Sequence, residues 1–147
     1  MLKVYMDNCC YHRPFDNQKD NTIRLETQAK IFIQSLIRYK AVQLVYSSVT
    51  LQEIADSPFE EKSRSIMEFL EGNAKYFIGR GNEKAMIALT LEIMRTGLKH
   101  KDAAHAAYAI IAACDYLITT DKRLLKYADE RIRVVNPVNF VQMWEVL

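Results

Sequence analysis

The feature that most restricts this chain is an alternation. Short runs of β-branched, aliphatic and aromatic residues take turns with longer stretches whose apolar residues recur at helical spacing. The runs at residues 2–6, 43–47, 75–78, 116–119 and 132–135 predict strands. Leu25, Ala29, Phe32, Ile33, Leu36 and Ile37 predict a helix after the polar stretch 12–21. A turn at 48–55 enters a short helix carrying Glu53. Pro58 opens a helix over 58–71 ended by Gly72, and Gly79 and Gly81 frame a turn into a helix over 82–97 closed by Gly97. Asp102 begins an Ala-rich helix, and 138–146 forms a terminal helix with Trp144 turned inward.

Short strands separated by helices imply an α/β sandwich on a mainly parallel sheet. The length of 147 residues, half of them apolar, fits a single domain over 1–147. Neither an internal repeat nor a linker interrupts it. The three cysteines, two of them adjacent at Cys9 and Cys10, make a poor disulfide framework and point to a reducing, cytoplasmic setting. No signal peptide or membrane span fits the sequence, so no membrane partner is expected.

In an open parallel sheet, ligands bind where loops leave the carboxyl ends of the strands. Asp7 follows the first predicted strand and Asp121 the fourth. With only four glycines, at 72, 79, 81 and 97, the chain has neither a dinucleotide fingerprint nor a phosphate-binding loop. Gly-x-Ser-x-Gly is missing too, and no second acid beside Asp7 supports a phosphoaspartate. A carboxylate cluster remains, drawn from Asp7, Glu53, Asp102 and Asp121, with Asp115 as a fifth candidate. Such oxygen donors suit Mg2+ or Mn2+, and converging carboxylates repel unless a cation neutralises them. Each acid also has a plainer reading. Asp7 and Asp121 can simply end strands, Asp102 can cap a helix, and Glu53 can face solvent.

Four segments carry a family resemblance: Val4-Tyr5-Met6-Asp7-Asn8, Ser48-Val49-Thr50-Leu51-Gln52-Glu53-Ile54, Lys101-Asp102-Ala103-Ala104-His105-Ala106-Ala107, and Cys114-Asp115-Tyr116-Leu117-Ile118-Thr119-Thr120-Asp121-Lys122-Arg123-Leu124-Leu125. Together they resemble the PIN domains, metal-dependent ribonucleases that include the VapC-type toxins of bacterial toxin–antitoxin pairs. The last segment is the most specific, because a small-residue helix, an Asp, a hydrophobic strand and Thr-x-Asp recur there in that order.

The resemblance implies a three-layer α/β/α sandwich. It also makes Asp7, Glu53, Asp102 and Asp121 the catalytic, metal-holding acids for Mg2+ or Mn2+, with Thr119 a supporting hydroxyl. Asn8 stands where the family often has Ser or Thr, and its amide takes the supporting place. Asp115 matches a frequent acid but sits at the far end of its strand, which ranks it as structural. The implied reaction is hydrolysis of RNA to 5′-phosphate and 3′-hydroxyl ends.

Positive charge is then needed at the rim. The balance of 20 bases against 18 acids, a net +2, says nothing about where it sits. Arg13 and Lys122 are the substrate-binding candidates, with Lys101 and Arg123 nearby, and Lys99 reads as a solvent-facing helix end. An antitoxin and a second copy of the chain are the candidate partners. The helix over 82–97 carries two apolar stripes, Met86, Leu89 and Ile93 against Ile87, Leu91, Met94 and Leu98, of which one is core and the other either core or partner surface. Two other readings of the chain stand beside the ribonuclease: a PIN-fold module that binds RNA or protein without cleaving, and a structure-specific DNA nuclease. Cys9, Cys10 and His12 lack the second ligand pair of a zinc site. His105 reads as a packing residue near its helix start, with RNA contact as the alternative.

Overall fold

The computed structural model describes residues 1–79, 81 and 83–146. Among them, five strands form one sheet: β1 (Lys3–Met6), β2 (Gln43–Ser47), β3 (Tyr76–Ile78), β4 (Tyr116–Ile118) and β5 (Arg133–Val135). Its order is β3-β2-β1-β4-β5, and every pairing is parallel. Eight α-helices complete the described fold: α1 (Asn8–His12), α2 (Asn21–Arg38), α3 (Ser48–Asp56), α4 (Glu60–Asn73), α5 (Glu83–Met94), α6 (His100–Ile111), α7 (Lys122–Leu125) and α8 (Pro137–Glu145).

Strand alternation sorts the apolar side chains into two cores. Val4, Met6, Leu44, Tyr116 and Ile118 pack with α1, α2, α4 and α8 on one face. Tyr5, Val45 and Leu117 pack with α5, α6 and Leu124 of α7 on the other. The result is a three-layer α/β/α sandwich. Alanines make the second layer thin: Ala103, Ala106, Ala107 and Ala109 are fully buried, so α6 lies close against the sheet. No described helix is long and apolar enough to cross a membrane.

The five strands fall where the sequence predicts them, and helix ends account for most of the differences. α4 begins at Glu60, after Pro58 and the N-cap Phe59, and runs through Gly72 to Asn73. α5 ends at Met94, with Gly97 at φ +106° closing the following turn, while the predicted start at Asn82 lies outside the described residues. Of the two α5 stripes, Met86 and Ile93 are buried and Leu89 packs beside them. The other divides: Met94 and Leu98 pack on the core, whereas Ile87 and Leu91 face solvent. A short helix, α1, which the sequence reading did not anticipate, follows β1, and the polar stretch 12–21 holds its last residue and a 3-10 turn at Arg13–Phe15.

Two helices end in Schellman motifs built on non-glycine residues. Lys40 (φ 61°) follows α2, where the Lys40 and Ala41 amides donate to Ile37 and Leu36. Ala113 (φ 56°) follows α6, where the Ala113 and Cys114 amides donate to Ile110 and Ala109. A side chain in the left-handed region is strained, and glycine relieves that at some cost in unfolded-chain entropy. Ala113→Gly is therefore expected to stabilise the protein by about 0.5–1 kcal/mol, checked by the urea midpoint at unchanged slope.

Candidate metal centre

The chain leaves β1 for β2 on one side, while β4 and β5 lie on the other, so the seam between β1 and β4 is the topological switch point of the sheet. Asp7 stands at its carboxyl end. Its amide donates to Ile118 O at 2.9 Å, which fixes it across the seam, and it is 5% exposed. Thr119, fully buried, donates through Oγ1 to Asp7 Oδ2 at 2.9 Å, and the same oxygen accepts from the Asp121 amide at 3.0 Å. One hydroxyl thus couples two of the expected acids.

Asp121 also has a structural role that its sequence position after a strand did not indicate. Its Oδ1 caps α7, accepting from the Arg123 and Leu124 amides at 2.8 and 3.3 Å. Thr119→Val removes both bonds through the hydroxyl and is expected to cost about 1–3 kcal/mol in thermal or urea unfolding.

On the β2 side, Ser47 ends the strand and caps α3 in a reciprocal pair with Thr50, which sets the helix that carries Glu53. Across from it, α6 presents His105, fully buried. Its Nε2 bonds Glu53 Oε1 and lies 3.5 Å from Asp7 Oδ1, while Nδ1 lies 2.6 Å from the Tyr5 hydroxyl. That hydroxyl is 2.5 Å from Ser47 Oγ. Burial opposes charge on the ring, yet Tyr5, the Glu53 bond and the Asp7 field outweigh it and hold the His105 pKa well above its ordinary value. A doubly protonated ring satisfies every group here: it donates to Tyr5 and Glu53, and Tyr5 donates onward to Ser47. The acids therefore carry their own buried counter-charge, so convergence by itself does not demand a metal. His105 is more than the packing residue expected from sequence, and its i,i+3 spacing from Asp102 on one helix face was the available signal.

Asp102 is the third residue of α6, in its first turn, with Lys99 as the N-cap, so it does not cap the helix. Burial pushes its pKa up to about 6, aided by Asp121, then Asp7, against the pull of His105, with Glu53 adding to the rise. Its carboxyl feels all three other acids, and this is the electrical mark of their convergence. The ligand atoms of Asp7, Glu53 and His105 lie within 4.8 Å of one another and could hold one ion. Asp102 and Asp121 do not join that group at the same spacing and flank it instead.

The sign of the Asp102 shift sets a further prediction. The folded protein keeps this proton up to about 6 and the unfolded chain releases it near 3.8, so stability falls as pH rises between those values. In EDTA, melting temperatures are expected to drop across that window, and Asp102→Asn to flatten the drop.

The remaining candidates divide. Asn8 is buried, and its Oδ1 has no partner among the described residues. Arg13 is engaged elsewhere: it bonds Glu26 at 2.9 Å and Asp16 at 2.8 Å, and Glu26 also takes the Asn136 amide. Lys122 is exposed at the start of α7, directly after Asp121, and Lys99, Lys101 and Arg123 are exposed as well. Asp115 ties the opposite end of the sheet, accepting from the Lys3 amide at 2.8 Å and donating its own amide to Lys3 O at 2.7 Å. Cys9 Sγ lies 3.4 Å from both Asp7 Oδ2 and Thr119 Oγ1, while Cys10 is buried against Ile118 O. Neither thiol belongs to the metal-capable group found among the described residues.

A cavity of about 310 Å³ opens beside Glu53 between α3, α5 and α6, with Tyr108, Met86 and Lys101 in its lining. No family model matches the chain, and no curated protein matches it.

Proposed function

We propose that this chain is a metal-dependent endoribonuclease of the PIN type, with the toxin of a toxin–antitoxin pair as its cellular role. One observation carries the reading. Two carboxylates and an imidazole present ligand atoms within 4.8 Å of one another at the switch point of a parallel sheet, with two more acids flanking them. The four sequence segments similar to PIN domains supply the substrate class, RNA.

The donor set fits a divalent cation. Asp7 and Glu53 offer hard oxygens suited to Mg2+ or Mn2+, and the His105 nitrogen, once deprotonated, shifts the balance toward Mn2+. Bound there, such an ion would supply a more acidic water and charge stabilisation at the phosphate. The protein's own groups do the rest. Thr119 holds the Asp7 carboxylate in place, and Asp102, in the first turn of α6 beside the other acids, is a carboxylate outside the three-residue group available to orient an attacking water or take its proton. Lys101, Lys122 and Arg123 offer exposed charge to a polyanion without a strongly basic chain.

A second reading, a PIN-fold module that binds without cleaving, draws on the His105 counter-charge. An internally neutralised cluster has no need of an ion. The two part in one assay: incubation of single-stranded RNA, structured RNA and DNA with native protein in Mn2+, Mg2+ or EDTA. Cleavage of RNA that depends on the cation is expected. Absence of cleavage on every substrate favours the binding module, and cleavage of DNA alone makes the protein a DNA nuclease.

A further inference from the structure

A second cavity, of about 440 Å³, opens between α1, α2 and α4 and shares no residue with the acid cluster. Its lining is unusual in what it leaves unpaired. Lys30 is 7% exposed and makes no ion pair or hydrogen bond to a described residue. The Tyr11 hydroxyl, on a side chain 1% exposed, is buried without a partner among the described residues. Gln34 is buried in the same wall, and Arg38 lies over the Phe69 ring at 5.4 Å, also lining the cavity. Glu68, the acid of this lining, forms no ion pair with Lys30 or Arg38.

Buried ammonium groups are ordinarily paired, and buried hydroxyls ordinarily bonded. Here the Tyr11 hydroxyl is buried without a partner, and Lys30, its side chain buried, pairs with nothing, in both cases among the described residues and at the same cavity. Desolvation holds the Lys30 pKa down to about 8, which is the response of a cation lacking its anion. Two cationic groups, the ammonium of Lys30 and the guanidinium of Arg38, face one exposed carboxylate, Glu68, and the remaining polar groups of the lining are neutral. That composition selects a compact, multiply charged oxyanion over a cation or an apolar ligand.

We infer that this cavity is an anion site for a phosphoryl group, with Lys30 as its buried charge partner and the Tyr11 hydroxyl as a donor to it. The inference is independent of the nuclease reading, because none of the four acids takes part. Two sources share this chemistry, a free phosphate or mononucleotide and a phosphate within a polynucleotide.

The test titrates inorganic phosphate into the full chain in EDTA, so that no cation at the acid cluster can recruit the anion, with chloride at equal ionic strength as the reference. Saturable binding by calorimetry and a rise in melting temperature are expected. Lys30→Met keeps the apolar stem and is expected to weaken binding at least about tenfold. Tyr11→Phe deletes a single oxygen and is expected to weaken it by about three- to tenfold, which keeps the test decisive if the lysine variant folds poorly. A 5′-mononucleotide and a short RNA distinguish the sources. Tighter, Lys30-dependent binding of the RNA assigns the site to a polynucleotide backbone, whereas phosphate or mononucleotide binding without RNA binding assigns it to a free anion. No saturable phosphate binding, or native affinity in both variants, overturns the inference.

Discussion

Asp7→Asn is expected to cut cation-dependent cleavage by about 10²–10³-fold while the sheet survives. The substitution keeps the shape and removes the charge from the residue that meets most of the centre. Thr119 and Cys9 reach its Oδ2, His105 lies 3.5 Å from its Oδ1, and its amide crosses to β4. The backbone bond is untouched, so far-ultraviolet circular dichroism is expected to match the native protein. Calorimetry with Mn2+ is expected to show weaker binding in parallel with the lost rate. Rates within tenfold of native, with native folding, would remove Asp7 from the reaction and the ribonuclease proposal with it.

The largest effect on stability is expected from His105→Ala, about 3–5 kcal/mol in EDTA, because it takes the positive member from a buried charge pair and leaves Glu53, Asp7 and Tyr5 without their common partner. Its pH dependence carries a definite sign. The folded pKa of the ring lies above the ordinary 6.5, so the stabilisation is complete below that value and is lost as pH rises through the elevated folded one. The gap in unfolding free energy between native protein and variant is therefore expected to narrow on the alkaline side. A gap that stays constant with pH would mean that the ring is neutral and acts through ordinary hydrogen bonds. Added Mn2+ is expected to recover part of the loss, since a cation restores the missing charge.

The strands were legible because their side chains answer to a local period. Val4 and Met6 face one core and Tyr5 the other, as alternation demands, and the same holds along β4. Asp7 and Asp121 were legible for the same reason, since a polar residue ending a buried strand is visible in one dimension. Helix ends were less so. α4 runs through Gly72, whose added Cβ would meet no atom within 4 Å, so nothing there makes glycine a required stop. Arg13 illustrates the other limit, because its chain position beside the first strand says nothing of Glu26, which engages it from α2. His105 was hidden for a similar reason. Its role depends on a strand tyrosine, a helix glutamate and a strand-end aspartate that only the tertiary fold brings to it, and its alanine neighbours made packing the simpler account.

The sheet order has a consequence for the timing of synthesis. β1 lies at the centre of the sheet, yet it is made before either neighbour, and β4, which completes the seam beneath Asp7, is made only after β2 and β3. Until β4 and the Thr119–Asp121 loop leave the ribosome, Asp7 has no backbone partner in Ile118 and no hydroxyl from Thr119. A nascent chain is thus held without its centre until the fourth strand and the loop after it have been made, and whatever chemistry the centre performs begins only when that strand has joined the first.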